Sequence, residues 1–299
     1  MLFKQFRIGT NVLFSIDISQ DGKYFAVCNN SGEVFIFSKK ISKIKINRFD
    51  RNSLDTNVLN LNNSFLYSVY DYSKLILWEC ECNSIVRFFD KNLGKIIDID
   101  SKDNLIISSD QNGFVTSWDN RVKNYLNRLN TGFILESVKI IGNSTYLVSK
   151  GYSANLYLWD YRNFSHNKPI LKIKTKNESR INSFCVSKNK PFIFYSDENV
   201  NIYKWSYKKE FYKIEKKNHF NKFNAIDKKY RLFLRNGYFD SYLGIFNRHK
   251  KAIIINSESG KIITEFNSNI ANLENFVLHP RKRVLIGSGS HGSLVTFKF

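Results

Sequence analysis

The chain has 299 residues, a net charge of +20 and 42% apolar residues, enough to bury a substantial core. It contains no run of about 18 apolar residues that could form a transmembrane helix, and its first residues lack the apolar stretch of a signal peptide. Its four cysteines are too few for a disulfide framework and lack metal-site spacing, so we expect an intracellular protein with no metal, no cofactor and no membrane partner.

The first predicted repeat lies near the N-terminus, in residues 19–37. It reads as a strand, a tight turn and a strand, with Asp-Gly and Ser-Gly at the two reversals. Its last residue, Phe37, lies 41 residues before Trp78. Three more tryptophans follow at intervals of 40, 41 and 46 residues, and Trp118 and Trp159 are each followed by Asp. A period of about 40–45 residues with a Trp-Asp pair is the signature of the WD repeat.

The repeats continue beyond the last tryptophan without the Trp-Asp pair. Ile255 lies 50 residues after Trp205, and Phe297 lies a further 42 residues along the chain. The sequence therefore predicts an all-β fold, a seven-bladed WD-repeat β-propeller that forms a single domain over residues 1–299. Its seven anchor residues are Phe37, Trp78, Trp118, Trp159, Trp205, Ile255 and Phe297.

The two ends of the chain indicate how the ring closes. Only two residues follow Phe297, so the last blade lacks an outer strand, and the strand-like residues 3–8 precede the first blade. We therefore predict that the N-terminal strand pairs with the last blade and closes the ring. The alternative, an open two-domain α/β protein, needs amphipathic helices of ten or more residues, and the sequence contains no convincing one.

Catalytic motifs are missing from the sequence. The five histidines fall in no metalloprotease, nucleophile-elbow or phosphate-loop pattern. Residues 287–292 resemble a Gly-x-Gly-x-x-Gly loop, but here they join two strands, so no helix N-terminus is available for a phosphate. We interpret them as the turn between the second and third strands of blade seven. The sequence thus predicts a binding protein that is not an enzyme and has no small-molecule substrate.

The basic residues carry the main functional signal. Residues 204–235 contain eleven Lys or Arg and three acidic residues, with aromatic residues interleaved. This mixture suits nucleic acid, with lysines on phosphates and rings against bases. Smaller basic clusters occupy residues 248–251 and 279–283. The alternative is that an AT-rich genome raised the lysine content, since Lys outnumbers Arg by 33 to 13.

Several segments follow one another in the order and approximate spacing of a known group: residues 158–162, 169–171, 180–184, 199–203, 219–223, 236–240, 276–280 and 287–297. Through them the chain resembles the damaged-DNA-binding WD-repeat group, that is, the small subunit of the UV-damaged-DNA-binding complex and its fungal relatives. In that group a hairpin tip wedges into the duplex at a lesion, where unstacking costs less than at a sound step. The resemblance implies that Phe220, Asn221 and Lys222 form this tip.

The predicted DNA-binding set combines the tip with basic residues around it: Lys216, Lys217, His219, Phe220, Asn221, Lys222, Arg248 and Lys250. The same resemblance implies a protein-docking role for two Trp-Asp-x-Arg boxes, which end at Arg121 and Arg162. In the group such a box helps to dock the adaptor subunit of a cullin ubiquitin ligase.

Two functional hypotheses follow. The leading one is a nuclear DNA-binding protein, a sensor of damaged DNA or a chromatin-associated factor, with DNA, a ligase adaptor or chromatin proteins as partners. The alternative is a non-enzymatic scaffold for protein–protein interaction in a nuclear or ribonucleoprotein assembly. Convergence of the basic residues of blades five to seven on one face favours the first hypothesis, and scatter around the ring favours the second.

Overall fold

The computed structural model describes residues 3–38, 44–46, 59–70, 72–82, 84–89, 94–142, 146–162, 168–174, 179–187, 190, 192–198, 201–206, 232–237, 241–247, 251–267 and 273–299. These residues form seven antiparallel sheets and a single turn of 3-10 helix. Each sheet is one blade, so the predicted all-β, seven-bladed propeller is confirmed. Within the described ranges, no helix is long and apolar enough to cross a membrane.

The first four blades each have four strands, labelled A to D from the channel to the rim. Strand β1 (Phe3–Arg7) precedes them. Blade 1 contains β2 (Leu13–Ile18), β3 (Tyr24–Asn29), β4 (Val34–Ser38) and β5 (Ile44–Ile46). Blade 2 contains β6 (Leu59–Asn62), β7 (Phe65–Tyr70), β8 (Lys74–Glu79) and β9 (Ser84–Phe89). Blade 3 contains β10 (Ile96–Lys102), β11 (Leu105–Asp110), β12 (Phe114–Asp119) and β13 (Tyr125–Asn130). Blade 4 contains β14 (Leu135–Ile140), β15 (Tyr146–Gly151), β16 (Asn155–Asp160) and β17 (Leu171–Lys174).

The last three blades follow the same order. The described strands of blade 5 are β18 (Ile181–Val186), β19 (Phe192–Asp197) and β20 (Ile202–Ser206). Blade 6 contains β21 (Leu232–Gly237), β22 (Tyr242–Asn247), β23 (Lys251–Asn256) and β24 (Ile262–Asn267). Blade 7 contains β25 (Leu273–Leu278), β26 (Val284–Gly289) and β27 (Ser293–Lys298), with the 3-10 turn Ser290–Gly292 before the last strand. Because neighbouring strands are antiparallel, the A–B and C–D turns share one face of the ring, the AB/CD face. The B–C turns and D–A connections share the opposite face, the DA/BC face.

The N-terminal strand closes the ring, as predicted. Strand β1 pairs antiparallel with β27, from Phe3 opposite Phe297 to Arg7 opposite Ser293, and so supplies the outer strand of blade 7. The chain then crosses into blade 1 against the B–C turn of blade 7, where the Ile8 N–H donates to the Gly292 carbonyl at 2.9 Å. Closure pairs a strand edge that would otherwise be exposed.

The hydrophobic core lies between the blades. Tyr67 and Phe89 of blade 2, for example, pack in one buried cluster with Ile99 and Trp118 of blade 3. The seam between blade 7 and blade 1 is filled in the same way. A four-stranded blade has two apolar faces and cannot cover either by itself, so each face is buried by a neighbour.

The tryptophan anchors are held by a hydroxyl ten residues earlier in the sequence. The indole N–H donates to a serine hydroxyl in blades 2, 3 and 4: Trp78 to Ser68 at 2.8 Å, Trp118 to Ser108 at 3.0 Å and Trp159 to Ser149 at 2.9 Å. Blades 1, 6 and 7 have neither the tryptophan nor the serine. The two are lost together because a buried hydroxyl without a hydrogen-bond partner costs free energy. There the pairs are Phe37 with Val27, Ile255 with Ile245 and Phe297 with Gly287.

Blade 5 breaks this rule. Tyr195 stands where the other tryptophan blades have serine, and the buried Trp205 indole N–H has no acceptor among the described residues. Tyr195 instead stacks on Tyr203, with ring centroids 4.8 Å apart, and the Tyr203 hydroxyl donates to the buried Asp197 at 3.0 Å. Blade 5 is therefore the least regular of the four tryptophan blades.

Candidate interaction surfaces

The predicted DNA-binding residues cannot be placed. Lys216, Lys217, His219, Phe220, Asn221, Lys222, Arg248 and Lys250 all lie outside the described residues. Side chains are described for 23 Lys or Arg and 17 Asp or Glu residues, so the described side chains carry +6 of the chain's net charge of +20.

Among the smaller basic clusters, the structure describes the one in blade 7. Residues 248–250 lie outside the described residues, as do residues 207–231. The exposed Arg281, Lys282 and Arg283 lie in the A–B turn of blade 7, at the AB/CD face. The convergence of the basic residues of blades five to seven on one face therefore stays a prediction.

The two predicted docking arginines lie on the AB/CD face, in the C–D turns of neighbouring blades. Arg121 donates through Nε and Nη2 to the two carboxylate oxygens of Asp119, at 2.9 and 2.6 Å. Arg162 donates through Nε and Nη2 to the two carboxylate oxygens of Asp160, at 3.1 and 2.8 Å. In each turn, the side-chain hydrogen bond from the arginine holds the pKa of the aspartate below its usual value.

Each Trp-Asp-x-Arg box is thus a self-contained turn. The same Asp119 carboxylate also accepts the Arg121 backbone N–H at 2.9 Å, and Asp160 accepts that of Arg162 at 2.9 Å. The two arginine side chains remain 69% and 61% exposed. Each arginine shapes its own turn and presents one edge to solvent, while its bidentate carboxylate partner comes from the protein itself.

The loops of the DA/BC face are joined by backbone hydrogen bonds. The Ile96 N–H donates to the Tyr72 carbonyl at 2.7 Å, which ties the start of blade 3 to the B–C turn of blade 2. The Thr131 N–H donates to the Gly113 carbonyl at 2.9 Å, and the Glu198 N–H donates to the Arg180 carbonyl at 3.0 Å. Among the described loops of this face, these contacts form a platform in which neighbouring loops hold each other in place.

The connection from blade 3 to blade 4 is a tightly enclosed part of this platform. A Cβ on Gly113 would lie 2.4 Å from the Phe133 carbonyl oxygen, and one on Gly151 would lie 2.6 Å from that of Ile134. The Thr131 hydroxyl closes the loop by hydrogen bonding to the Gly113 carbonyl at 2.7 Å. Ile134 is nevertheless 57% exposed, so an apolar side chain is displayed on a fixed backbone.

Tyr152, in the B–C turn of blade 4, is the second apolar side chain displayed on this face. It is 62% exposed, and the Arg180 guanidinium carbon lies 4.5 Å from its ring centroid. Arg180 in turn donates to Glu136 at 2.6 Å, and the same carboxylate pairs with the buried Lys150. A cation over the ring and an ion pair behind the cation fix the orientation of Tyr152.

Glu136 belongs to a repeated feature of the channel mouth. In blades 1, 3, 4, 5 and 7 the register of the innermost strand shifts by one residue near its DA/BC end, which inserts one extra residue. Bulges of this kind re-aim a side chain relative to the strand. The inserted residues are Phe14, Ile97, Glu136, Asn182 and Glu274.

The carboxylates inside the channel link neighbouring blades. Asp17 of blade 1 accepts the Leu61 N–H of blade 2 at 2.7 Å. Asp98 of blade 3 accepts the Val138 N–H of blade 4 at 3.0 Å and the Lys139 ammonium at 2.7 Å. Innermost strands have an unpaired backbone edge, and these carboxylates satisfy it. Among the described residues, no group of His, Cys, Asp or Glu is arranged to share a metal ion.

Ile134 and Tyr152 are not among the residues predicted from the sequence. Ile134 lies two residues after Gly132 and Tyr152 directly follows Gly151, and a large apolar residue close after a glycine is the signal that could identify them. The supporting contacts of Tyr152 come from two blades, so their assembly cannot be read from one repeat. We call Ile134 and Tyr152, with Arg180 and Glu136 behind the tyrosine, the platform site.

The comparisons with known proteins bear on the fold alone. The chain is similar to the crystal structure of the Cps50 (Swd1) β-propeller domain of Myceliophteria thermophila, with a TM-score of 0.81 over 100% of both chains at 12% sequence identity. No family model matches the chain, and no curated protein matches it. A fold shared at this identity does not transfer a function, because propellers carry many different ones.

Proposed function

We propose that this protein is a non-catalytic scaffold that binds partner proteins, and that the platform site is one of its docking surfaces. The observation that carries the proposal is the exposure of Ile134 and Tyr152, whose positions are held by contacts with neighbouring residues of the propeller. Protein interfaces concentrate their affinity in a few aromatic and apolar residues next to arginine, which is the composition of this site.

The rigidity of the platform site favours affinity. A loop that must become ordered on binding loses conformational entropy, about 0.5–1.5 kcal/mol for each side chain that is immobilised. Here the Thr131 and Gly113 contacts hold the Ile134 loop, and Arg180 holds the Tyr152 ring, before any partner arrives. These side chains have therefore already lost their conformational entropy when the propeller folds, and binding a partner does not have to order them.

Purification of the tagged protein from its own cells, with quantitative mass spectrometry, tests this function. We expect a defined set of proteins to co-purify with the wild type and to be lost from the Ile134→Ser and Tyr152→Ser variants. Val86→Ser is the matched control, because Val86 is an exposed apolar residue on the outer strand of blade 2. Loss of the same proteins in the control, or loss in none of the variants, would contradict the proposal.

DNA binding is the second candidate function, and the charge distribution supports it. The residues without described side chains carry the larger part of the +20, and residues 204–235 alone combine eleven basic with three acidic residues. On this proposal the protein acts in the nucleus on DNA, as a damage sensor or with chromatin proteins, and Phe220 and Lys222 contact the duplex. The test is binding to intact and lesion-containing duplexes at two salt concentrations. Binding that is absent at about 100 mM salt would exclude it, since backbone contacts still hold there.

A further inference from the structure

The A–B turn of blade 7 is held by the imidazole of a buried histidine. His279 directly follows β25 and is 8% exposed. Its backbone N–H donates to the Val284 carbonyl at 2.8 Å, and its Nδ1 accepts the Arg281 N–H at 3.0 Å. A ring nitrogen that accepts a hydrogen bond carries no proton, so the folded turn holds the neutral imidazole with its proton on Nε2.

A buried serine occupies the same position in blades 1 and 5. The three turns are comparable, because Ser19, Ser187 and His279 each donate their backbone N–H to the carbonyl of the first residue of the next strand. The Ser19 hydroxyl accepts the Tyr24 N–H at 3.0 Å, and the Ser187 hydroxyl accepts the Lys190 N–H at 3.0 Å. A serine hydroxyl does not change its charge near neutral pH, whereas an imidazole does. Blade 7 therefore has a turn partner that can acquire a charge where blades 1 and 5 have an uncharged one.

The imidazole also forms part of the contact between blade 7 and blade 1. Its ring lies against Gly22 in the A–B turn of blade 1, where a Cβ would lie 2.4 Å from Cε1 and 2.7 Å from Nε2. The ring thus occupies the space that a side chain at position 22 would need. Strand β1 pairs with blade 7 and leads directly into blade 1, so His279 lies at the seam where the ring closes.

The charges of these two turns favour a neutral ring. Their charged and titratable side chains are Asp21, Lys23, Tyr24, Arg281, Lys282 and Arg283. Four of these are cations, and the carboxylate is already engaged, since Asp21 accepts the Ser19 hydroxyl at 2.7 Å and pairs with Lys23 at 3.3 Å. A proton on Nδ1 would remove the acceptor of the Arg281 N–H, place two donors opposite each other and add a positive charge to a basic pair of turns.

We propose that His279 makes the seam between blades 7 and 1 sensitive to pH: the neutral ring holds the two A–B turns together, and its protonation releases them. Imidazoles in unfolded chains titrate at about pH 6.5. Because the folded turn needs the neutral form and the unfolded chain accepts the proton, the stability that His279 contributes is fully present above about pH 6.5 and is lost as the pH falls below it. The device does not depend on the proposed scaffold function, since the platform site lies on the opposite face of the ring.

Urea titration of the full chain at about pH 7.5 and about pH 5, followed by tryptophan fluorescence, tests the inference. His279→Asn keeps an acceptor for the Arg281 N–H, because an asparagine side chain bonds the backbone two residues on, but it does not titrate. His291→Asn is the matched control, since His291 is an exposed histidine of the same blade whose φ of +54° suits asparagine. We expect acidification to lower the urea midpoint of the wild type and of His291→Asn by about 0.5 M more than that of His279→Asn.

Hydrogen exchange of the wild type is a second measurement, which applies whether or not the variants fold. After correction for intrinsic rates, the amides of Gly22, His279 and Arg281 should lose at least about tenfold in protection between about pH 7.5 and about pH 5. The amides of Ser187 and Lys190, in the serine-held turn of blade 5, should keep theirs. The inference is overturned by an equal midpoint loss in His279→Asn and the wild type, by the same reduced loss in His291→Asn, or by unchanged protection in the turn of blade 7.

Discussion

Ring closure depends on a contact between two glycines, and one added methyl group tests it. Gly292 has a φ of +67°, and a Cβ there would lie 2.3 Å from the Gly9 carbonyl oxygen and 2.7 Å from the Gly9 nitrogen. All of these are backbone atoms, so no side chain can rotate away. Gly292→Ala must therefore either strain the turn or push the segment after β1 off blade 7.

The expected loss of stability has two parts. A left-handed conformation costs an alanine about 1–2 kcal/mol, and displacing Gly9 breaks the hydrogen bond from the Ile8 N–H to the Gly292 carbonyl, worth about 1 kcal/mol. We expect Gly292→Ala to lower the free energy of unfolding by about 3 kcal/mol in urea titrations followed by tryptophan fluorescence. Hydrogen exchange of the β1 amides should accelerate in the same variant, because the outer strand of blade 7 is released.

Variants at two other glycines separate the cost of backbone strain from the cost of displacing the closure contact. Gly132 has a φ of +77° and nothing within 4 Å of a Cβ, so Gly132→Ala reports backbone strain alone, about 1–2 kcal/mol. Gly9 has open space and no positive φ, so Gly9→Ala should be close to neutral. Equal losses in Gly292→Ala and Gly132→Ala, with unchanged exchange in β1, would refute the closure geometry.

Three more predictions concern the blades themselves. Ser108→Ala leaves the buried Trp118 indole N–H without its 3.0 Å acceptor and should lower the free energy of unfolding by about 1–3 kcal/mol, and a loss below about 0.5 kcal/mol would contradict the role of the hydroxyl. Cys82 is exposed, whereas burial raises the pKa of Cys28 and of Cys80 to about 12, so a thiol reagent at pH 8 should label Cys82 rapidly and those two only on unfolding. Because the pKa of Asp119 is lowered in the folded state, its pairing with Arg121 stabilises the fold above the usual aspartate pKa and loses that effect as the pH falls through the lowered value. The stability difference between the wild type and Asp119→Asn should therefore be present at pH 7 and vanish in strong acid, and a difference independent of pH would contradict the pairing.

The fold could be predicted from the sequence because its repeat is carried by buried residues. Phe37 and Phe297 occupy the place of the tryptophans in their blades, and spacing alone identified them. Residues 287–292 contain the predicted turn of blade 7, although the structure places Gly287 and Gly289 at the end of β26 and the turn itself at Ser290–Gly292.

The platform site could not be predicted in the same way. Glu136 and Arg180 lie 44 residues apart and meet only because blades 4 and 5 are neighbours in the ring. The loop that displays Ile134 is held by close backbone contacts with Gly113 and Gly151. No local sequence pattern predicts those contacts. Charge misleads for a different reason: lysine and arginine counts do not distinguish a surface that binds from one that is solvated.

Site-specific photo-cross-linking at position 152 tests the central claim most directly. A benzoylphenylalanine introduced at Tyr152 in the native cell should give one or a few discrete protein adducts, which are absent when the same residue replaces Val86 on the rim. Adducts at position 152 that disappear in the Ile134→Ser background would confirm a docking site on the DA/BC face. No adduct at position 152, or the same adducts at both positions, would contradict the scaffold function.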